Sequence, residues 1–172
     1  MDLGTIHCRE FLRAVRKAGH LIVMSKPISA ELDDHQSPFA LAIRLWMSQH
    51  RRVYYVGDPT DDALRQEITR AATGDGERQI MLKDAHLIEA AIVADRTVSS
   101  LDERVRGHFR RAAMSVEQLR TIVWVNPHTE ADVSLTWING GARPDKHRQF
   151  GFQVRDQHRG HQEGPRHRGK VP

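Results

Sequence analysis

The stretch that decides the fold runs from residue 84 to residue 102. It reads Asp84-Ala85-His86-Leu87-Ile88-Glu89-Ala90-Ala91-Ile92-Val93-Ala94-Asp95, then Arg96, then Thr97-Val98-Ser99-Ser100-Leu101-Asp102. The segment from Asp84 to Asp95 is nearly all apolar and too long for a strand of the usual ~5–6 residues. It therefore reads as a helix packed deep against a sheet. Thr97 to Ser100 reads as a short strand that runs into a further helix bearing Val105 and Phe109.

The same alternation extends outward in both directions. Phe11, Leu12 and Val15 recur at helical spacing and predict a helix from about Cys8 to Ala18, stopped by Gly19. His20 to Met24 reads as a short buried strand. Pro27 suits the first turn of a helix carrying Glu31, and Asp33 to Gln36 is a polar break. Ser37-Pro38 is an N-cap and N1 pair for a helix that buries Phe39, Ile43, Trp46 and Met47. Val53 to Val56 is strand-like, and a helix follows with Asp61 and Asp62 at its start and Leu64, Ile68 and Ala71 on one face. Thr73 to Glu77 reads as a loop. Thr121 to Val125 is a strand closed by Asn126-Pro127. The last helix carries Val133, Trp137 and Ile138 and ends at Gly140-Gly141.

Strands separated by helices predict an α/β fold: a three-layer α/β/α arrangement around a mostly parallel central sheet. The strands are short and apolar on both sides, as strands covered on both faces should be. One domain is expected over residues 1–152, with residues 153–172 a disordered basic tail rich in Gly, His and Arg.

Composition bounds the remaining choices. The 172 residues are 39% hydrophobic and 28% charged, which excludes a collagenous or wholly disordered chain. No apolar run approaches the roughly 20 residues of a membrane helix, and no basic-then-apolar leader follows Met1, so a cytoplasmic location is expected. The single cysteine, Cys8, excludes a disulfide framework and a multi-cysteine zinc site. Of the formal charge of +4, the tail carries +3. The body is thus nearly neutral, and attraction to a polyanion is local or belongs to the tail.

In open α/β sheets, ligands bind beyond the carboxyl ends of the strands. Glu31 follows the first strand, Asp102 follows the third, and Asp84 opens the helix that precedes it, so one sheet edge can gather all three. Three converging carboxylates repel one another unless a cation joins them. Mg²⁺ or Mn²⁺ prefers such oxygen ligands, and an ion held this way can activate a water against a phosphodiester.

These segments resemble a PIN domain. The resemblance rests on Lys83-Asp84-Ala85-His86-Leu87-Ile88-Glu89-Ala90-Ala91 with Asp95 to Asp102, and on Met24-Ser25 through Glu31-Leu32; it covers about Cys8 to Pro127. It implies a Mg²⁺- or Mn²⁺-dependent endoribonuclease acting on single-stranded RNA, including the toxin of a toxin–antitoxin pair, with Glu31, Asp84 and Asp102 as metal ligands and catalytic residues. It implies an antitoxin or a second copy as protein partner, and no membrane. That pattern also begins with an apolar strand ending in an acid. Here only Met1-Asp2 stands ahead of the first helix, so the expected domain is N-terminally incomplete and lacks the first acid. A non-catalytic scaffold for a protein or RNA is the alternative.

Simpler roles compete at each position. Asp84 suits a helix start, Glu31 a solvated face, and Ser100-x-x-Glu103 is a capping-box pattern with Asp102 inside it. Asp58, Asp61 and Asp62 fit turn and helix-start chemistry. Ser99 and Ser100 suit capping more than a phosphate or a metal-bound water. His35 and His86 can contact a phosphate or serve the structure, and Cys8 has no credible histidine partner. The tail histidines His158, His161 and His167 lack tight ligand spacing. Trp46, Trp124 and Trp137 suit the core more than base stacking. Arg51, Arg52, Arg104, Arg106, Arg110 and Arg111 suit a solvated face or an RNA path.

Overall fold

A computed structural model describes residues 2–35 and 37–152. The expected tail at 153–172, with His158, His161 and His167, lies outside the described residues, as do residue 36 and the side chain of His35. Among the described residues the named helices and strands are, in order, α1 (Leu3–Ala18), β1 (Ile22–Met24), α2 (Lys26–His35), α3 (Pro38–Gln49), β2 (Val53–Tyr55), α4 (Asp62–Ala71), α5 (Asp75–Ile92), β3 (Thr97–Ser99), α6 (Glu103–Ala112), β4 (Val123–Val125) and α7 (Ala131–Asn139). Short 3-10 turns cover Glu117–Thr121 and Lys146–Arg148.

Local chemistry sets most boundaries. The Asp2 carboxylate caps α1 through the Thr5 N–H, and Gly19 ends it at φ 78°, a left-handed conformation that glycine adopts without steric cost. Ser37 caps α3 ahead of Pro38, as its sequence predicts. Asp61 caps α4 and Asp102 caps α6. Three boundaries differ from expectation. Helix α1 starts at Leu3 because Asp2 captures its first turn. Helix α2 runs through the expected polar break to His35, whose acids tolerate helix on an exposed face. Helix α5 starts at Asp75, inside the expected loop: the Glu77 carboxylate accepts hydrogen bonds from the Thr73 N–H and hydroxyl, which closes the first turn.

Mixed α/β architecture is as expected, and both ladders are parallel, β1 with β2 and β3 with β4. The strands, however, form two separate two-stranded sheets. Core packing divides with them. One cluster joins Leu64 and Ile68 of α4, Met81, Ala85 and Ile88 of α5, Val105 and Phe109 of α6, Trp124 and Phe150. The other joins Phe11 and Val15 of α1, Ile43 and Met47 of α3, Val123 and Val125, Trp137 and Ile138. Strand β4 is buried along its whole length and serves both clusters, since successive side chains point to opposite faces. Val133 of α7 is 52% exposed, because the buried face of that helix is Ser134, Trp137 and Ile138.

The spine of the molecule is α5, which packs against α4, α6, α2, β1 and β3. A buried ion pair fixes its angle to α4. The Glu89 side chain, 1% exposed, accepts from Arg65 Nε at 2.6 Å and Nη2 at 2.8 Å, and from the Asp61 N–H at 3.0 Å. A second clamp ties α5 to α6: Glu77 Oε1 accepts from His108 Nδ1 and Arg111 Nη2, each at 2.7 Å. Rigid placement of α5 matters because it carries Asp84 and His86.

Candidate metal and phosphate site

Asp84 is the tenth residue of α5 and does not open that helix, which corrects the expectation. Its carboxyl is half-buried at mid-helix, so the helix dipole gives no account of it. Its proton affinity is raised first by that burial and further by the negative charges of Glu31 and Asp102, against an opposing pull from Lys83 and His86. The three acids chosen from the sequence therefore lie within electrostatic reach, with Asp84 under the field of both others. Glu31 follows β1 and Asp102 follows β3, so the carboxyl ends of both strands lead toward Asp84.

Glu31 extends from α2, and its Oε2 lies 3.1 Å from His86 Nε2. The His86 Nδ1 lies 2.9 Å from the Lys83 carbonyl oxygen. The ring is thus held between the Lys83 carbonyl and the Glu31 carboxylate. His86 is 8% exposed. It thus acts on Glu31, aiming one carboxylate oxygen, and is too deep to meet a phosphate directly. Asp102 spends Oδ1 on capping the Val105 N–H at 2.9 Å, while its own N–H donates to Ser100 Oγ at 3.2 Å. The cap therefore engages Oδ1 of the carboxylate. Among the described residues, no three His, Cys, Asp or Glu side chains stand at spacing fit to hold a metal ion.

Sequence reasoning missed Asn126, which is 1% exposed at the carboxyl end of β4. Its Nδ2 donates to the Leu101 carbonyl at 3.0 Å and to Glu103 Oε1 at 2.8 Å, and its Oδ1 accepts from the His128 N–H at 2.8 Å. It fixes the loop on which Asp102 sits. A polar residue at a strand end before Pro127 was the available signal. Glu103, which also accepts from Arg106 and Thr129, is consumed by this network.

The other candidates resolve toward structure. Asp58 accepts from Thr60, Asp61 caps α4, and Asp62 occupies its first turn. Ser100 accepts from the Asp102 N–H, while Ser99 is exposed. Burial raises the Cys8 thiol above its ordinary value, with Asp2 adding to the effect, which makes it a poor nucleophile. Trp124 is in the core, Trp137 donates to the Arg143 carbonyl, and Trp46 stacks on His50 with ring centroids 3.9 Å apart. Arg106 pairs with Glu103 and Glu130, Arg111 with Glu77, and Arg52 donates to the Gly19 carbonyl. Arg51 and Arg104 are exposed and Arg110 is half-buried. No family model matches the chain, and neither curated proteins nor solved structures give a match.

Proposed function

We propose that this chain is a PIN-like, Mg²⁺- or Mn²⁺-dependent endoribonuclease of three-layer α/β/α type, hydrolysing phosphodiesters of single-stranded cytoplasmic RNA. Glu31, Asp84 and Asp102 are its ligands and catalytic residues. The observation that carries the reading is the half-buried Asp84 carboxyl, whose proton affinity is raised first by burial and in lesser part by the charges of Glu31 and Asp102. Carboxylates gathered on one edge destabilise one another, and a hard divalent cation relieves that repulsion with oxygen ligands.

The donor set is all carboxylate, the chemistry such an ion takes, although the three side chains do not stand at ligand spacing among the described residues. Bound there, the ion would supply Lewis-acid charge for phosphodiester cleavage. The chain's own residues do the rest. His86 holds the Glu31 carboxylate in one orientation, the capping bond to Val105 fixes Asp102, and the Glu89–Arg65 pair fixes the helix that presents Asp84. Arg104, exposed at the second position of α6, is the cation this reading assigns to a phosphate near Asp102. Asp2, the acid ahead of the first helix, is committed to capping α1. An antitoxin or a second copy of the chain is the protein partner this reading carries.

The test is cleavage of an end-labelled single-stranded RNA in Mn²⁺. Wild type should cut, EDTA should abolish cutting, and Asp84→Asn and Asp102→Asn should each slow it by roughly a hundredfold, about 2.7 kcal/mol of barrier. Cleavage that survives Asp84→Asn or EDTA, or no cleavage at all, defeats the nuclease. A binding scaffold is the second reading, favoured by the open slot between the two sheets.

A further inference from the structure

The two parallel sheets face each other across a cavity of about 390 Å³. Its walls include Ile22 and Val23 of β1, Leu87 and Ala90 of α5, and Trp137 and Ile138 of α7. Thr97, Val98 and Ser99 of β3 close the opposite side. In β1, the Ile22 N–H donates to the Arg52 carbonyl and the Met24 carbonyl accepts from the Val56 N–H. Since alternate residues of a parallel ladder point to opposite neighbours, the Val23 N–H and carbonyl point away from β2, into the cavity. In β3, the Arg96 carbonyl accepts from the Val123 N–H and the Ser100 N–H donates to the Val125 carbonyl. By the same alternation, the backbone of Thr97 and Ser99 points away from β4, into the same space. Thr97 Oγ1 is buried there without a hydrogen-bond partner among the described residues.

We propose that this slot receives one extended apolar β-strand from another polypeptide, paired in parallel with β1 on one side and β3 on the other. The Thr97 N–H turns back on Asp95 Oδ1 at 3.1 Å, which leaves the Val23 N–H and carbonyl on one side and the Thr97 carbonyl and Ser99 backbone on the other; facing edges of this kind with apolar walls match a strand better than they match a compact ligand. Direction follows from the common carboxyl-terminal edge of β1 and β3. Charge selects further. The acidic residues lining the cavity are Asp95, just ahead of β3, and Glu31 beyond the end of β1, and no lysine or arginine is among the described lining residues. The incoming strand is therefore uncharged through its middle and preceded by a basic residue that meets Asp95. This inference goes beyond the nuclease and does not depend on any metal.

The probe is a fluorescein-labelled synthetic peptide, Gly-Lys-Lys-Val-Ile-Val-Val-Ile-Ser, titrated with the full chain and read by anisotropy and amide hydrogen exchange. Saturable binding should slow exchange at Val23 and Ser99 while leaving Ile22, already paired, unchanged. Val23→Pro removes a cavity-facing N–H and no ladder bond, so the β1–β2 pair should persist while affinity falls by about tenfold or more. Ala90→Phe, filling the slot from α5, should weaken binding similarly and guards against misfolding of the first variant. A peptide with glutamates for its lysines should bind less. The proposal is overturned by no saturable binding, by binding indifferent to both variants, by preference for decanoate over the peptide, or by self-association of the chain through the slot.

Discussion

Removal of the Glu89–Arg65 pair has a cost that depends on which partner goes. Glu89 is 1% exposed and Arg65 is 32% exposed at the side chain. Arg65→Ala strands a buried carboxylate with one remaining donor, the Asp61 N–H, and should cost about 4–5 kcal/mol, the upper part of the range for breaking a buried pair. Glu89→Ala strands a guanidinium that already reaches water, plus one backbone N–H, and should cost about 3 kcal/mol. Glu89→Gln keeps the shape and two acceptor bonds and should cost about 1–2 kcal/mol. The double variant Arg65→Met/Glu89→Leu leaves no orphan charge and should lie near wild type, within about 1 kcal/mol. Urea unfolding followed by tryptophan fluorescence measures these values, since Trp124 is buried in the same core. At roughly 2–4 °C per kcal/mol for a domain of this size, Glu89→Ala should lose about 6–12 °C of melting temperature. A larger loss for Glu89→Ala than for Arg65→Ala, or a double variant worse than both singles, refutes the reasoning.

Acid should loosen the α5–α6 clamp. Glu77 is held down to about 2 first by its bond from the Thr73 hydroxyl, then, against the opposing effect of burial, by the Thr73 N–H, His108 and Arg111. Its folded value is depressed, so the stabilisation is present above the unfolded value near ~4.3 and is lost as pH falls through about 2. Allowing for solvent around the helix start, about 1–2 kcal/mol should disappear across that window. Glu77→Gln should flatten the pH dependence there in thermal melts. At Asp102, Asn preserves the cap and should cost under about 0.5 kcal/mol, while Ala should cost about 1 kcal/mol. If Asn destabilises as much as Ala, the cap assignment is wrong.

Element types were largely legible because caps and periodicity are local. Ser37-Pro38, Gly19 and the 105/109 spacing each act within one turn. What escaped depended on partners far along the chain. The start of α5 hid behind Gly74 and Gly76, which read as a loop until Glu77 is seen to close back on Thr73 and to reach His108. The sequence consequently suggests for Asp84 a helix start it does not occupy. The Glu89–Arg65 pair links residues 24 apart, and no local pattern announces it. The division of four strands into two sheets is a pairing fact that strand signals cannot carry, because period and β-propensity are the same whichever neighbour is chosen. The proximity of Glu31 to His86 likewise comes from α2 packing on α5.

The central claim is that the Glu31, Asp84 and Asp102 carboxylates bind one divalent cation. Calorimetric titration of Mn²⁺ at pH 7, into wild type and into Asp84→Asn, tests it most directly. One site should appear in wild type, weaken as pH falls and Asp84 takes up its proton, and weaken at least tenfold in Asp84→Asn. No heat in wild type, or an unchanged site in Asp84→Asn, contradicts it.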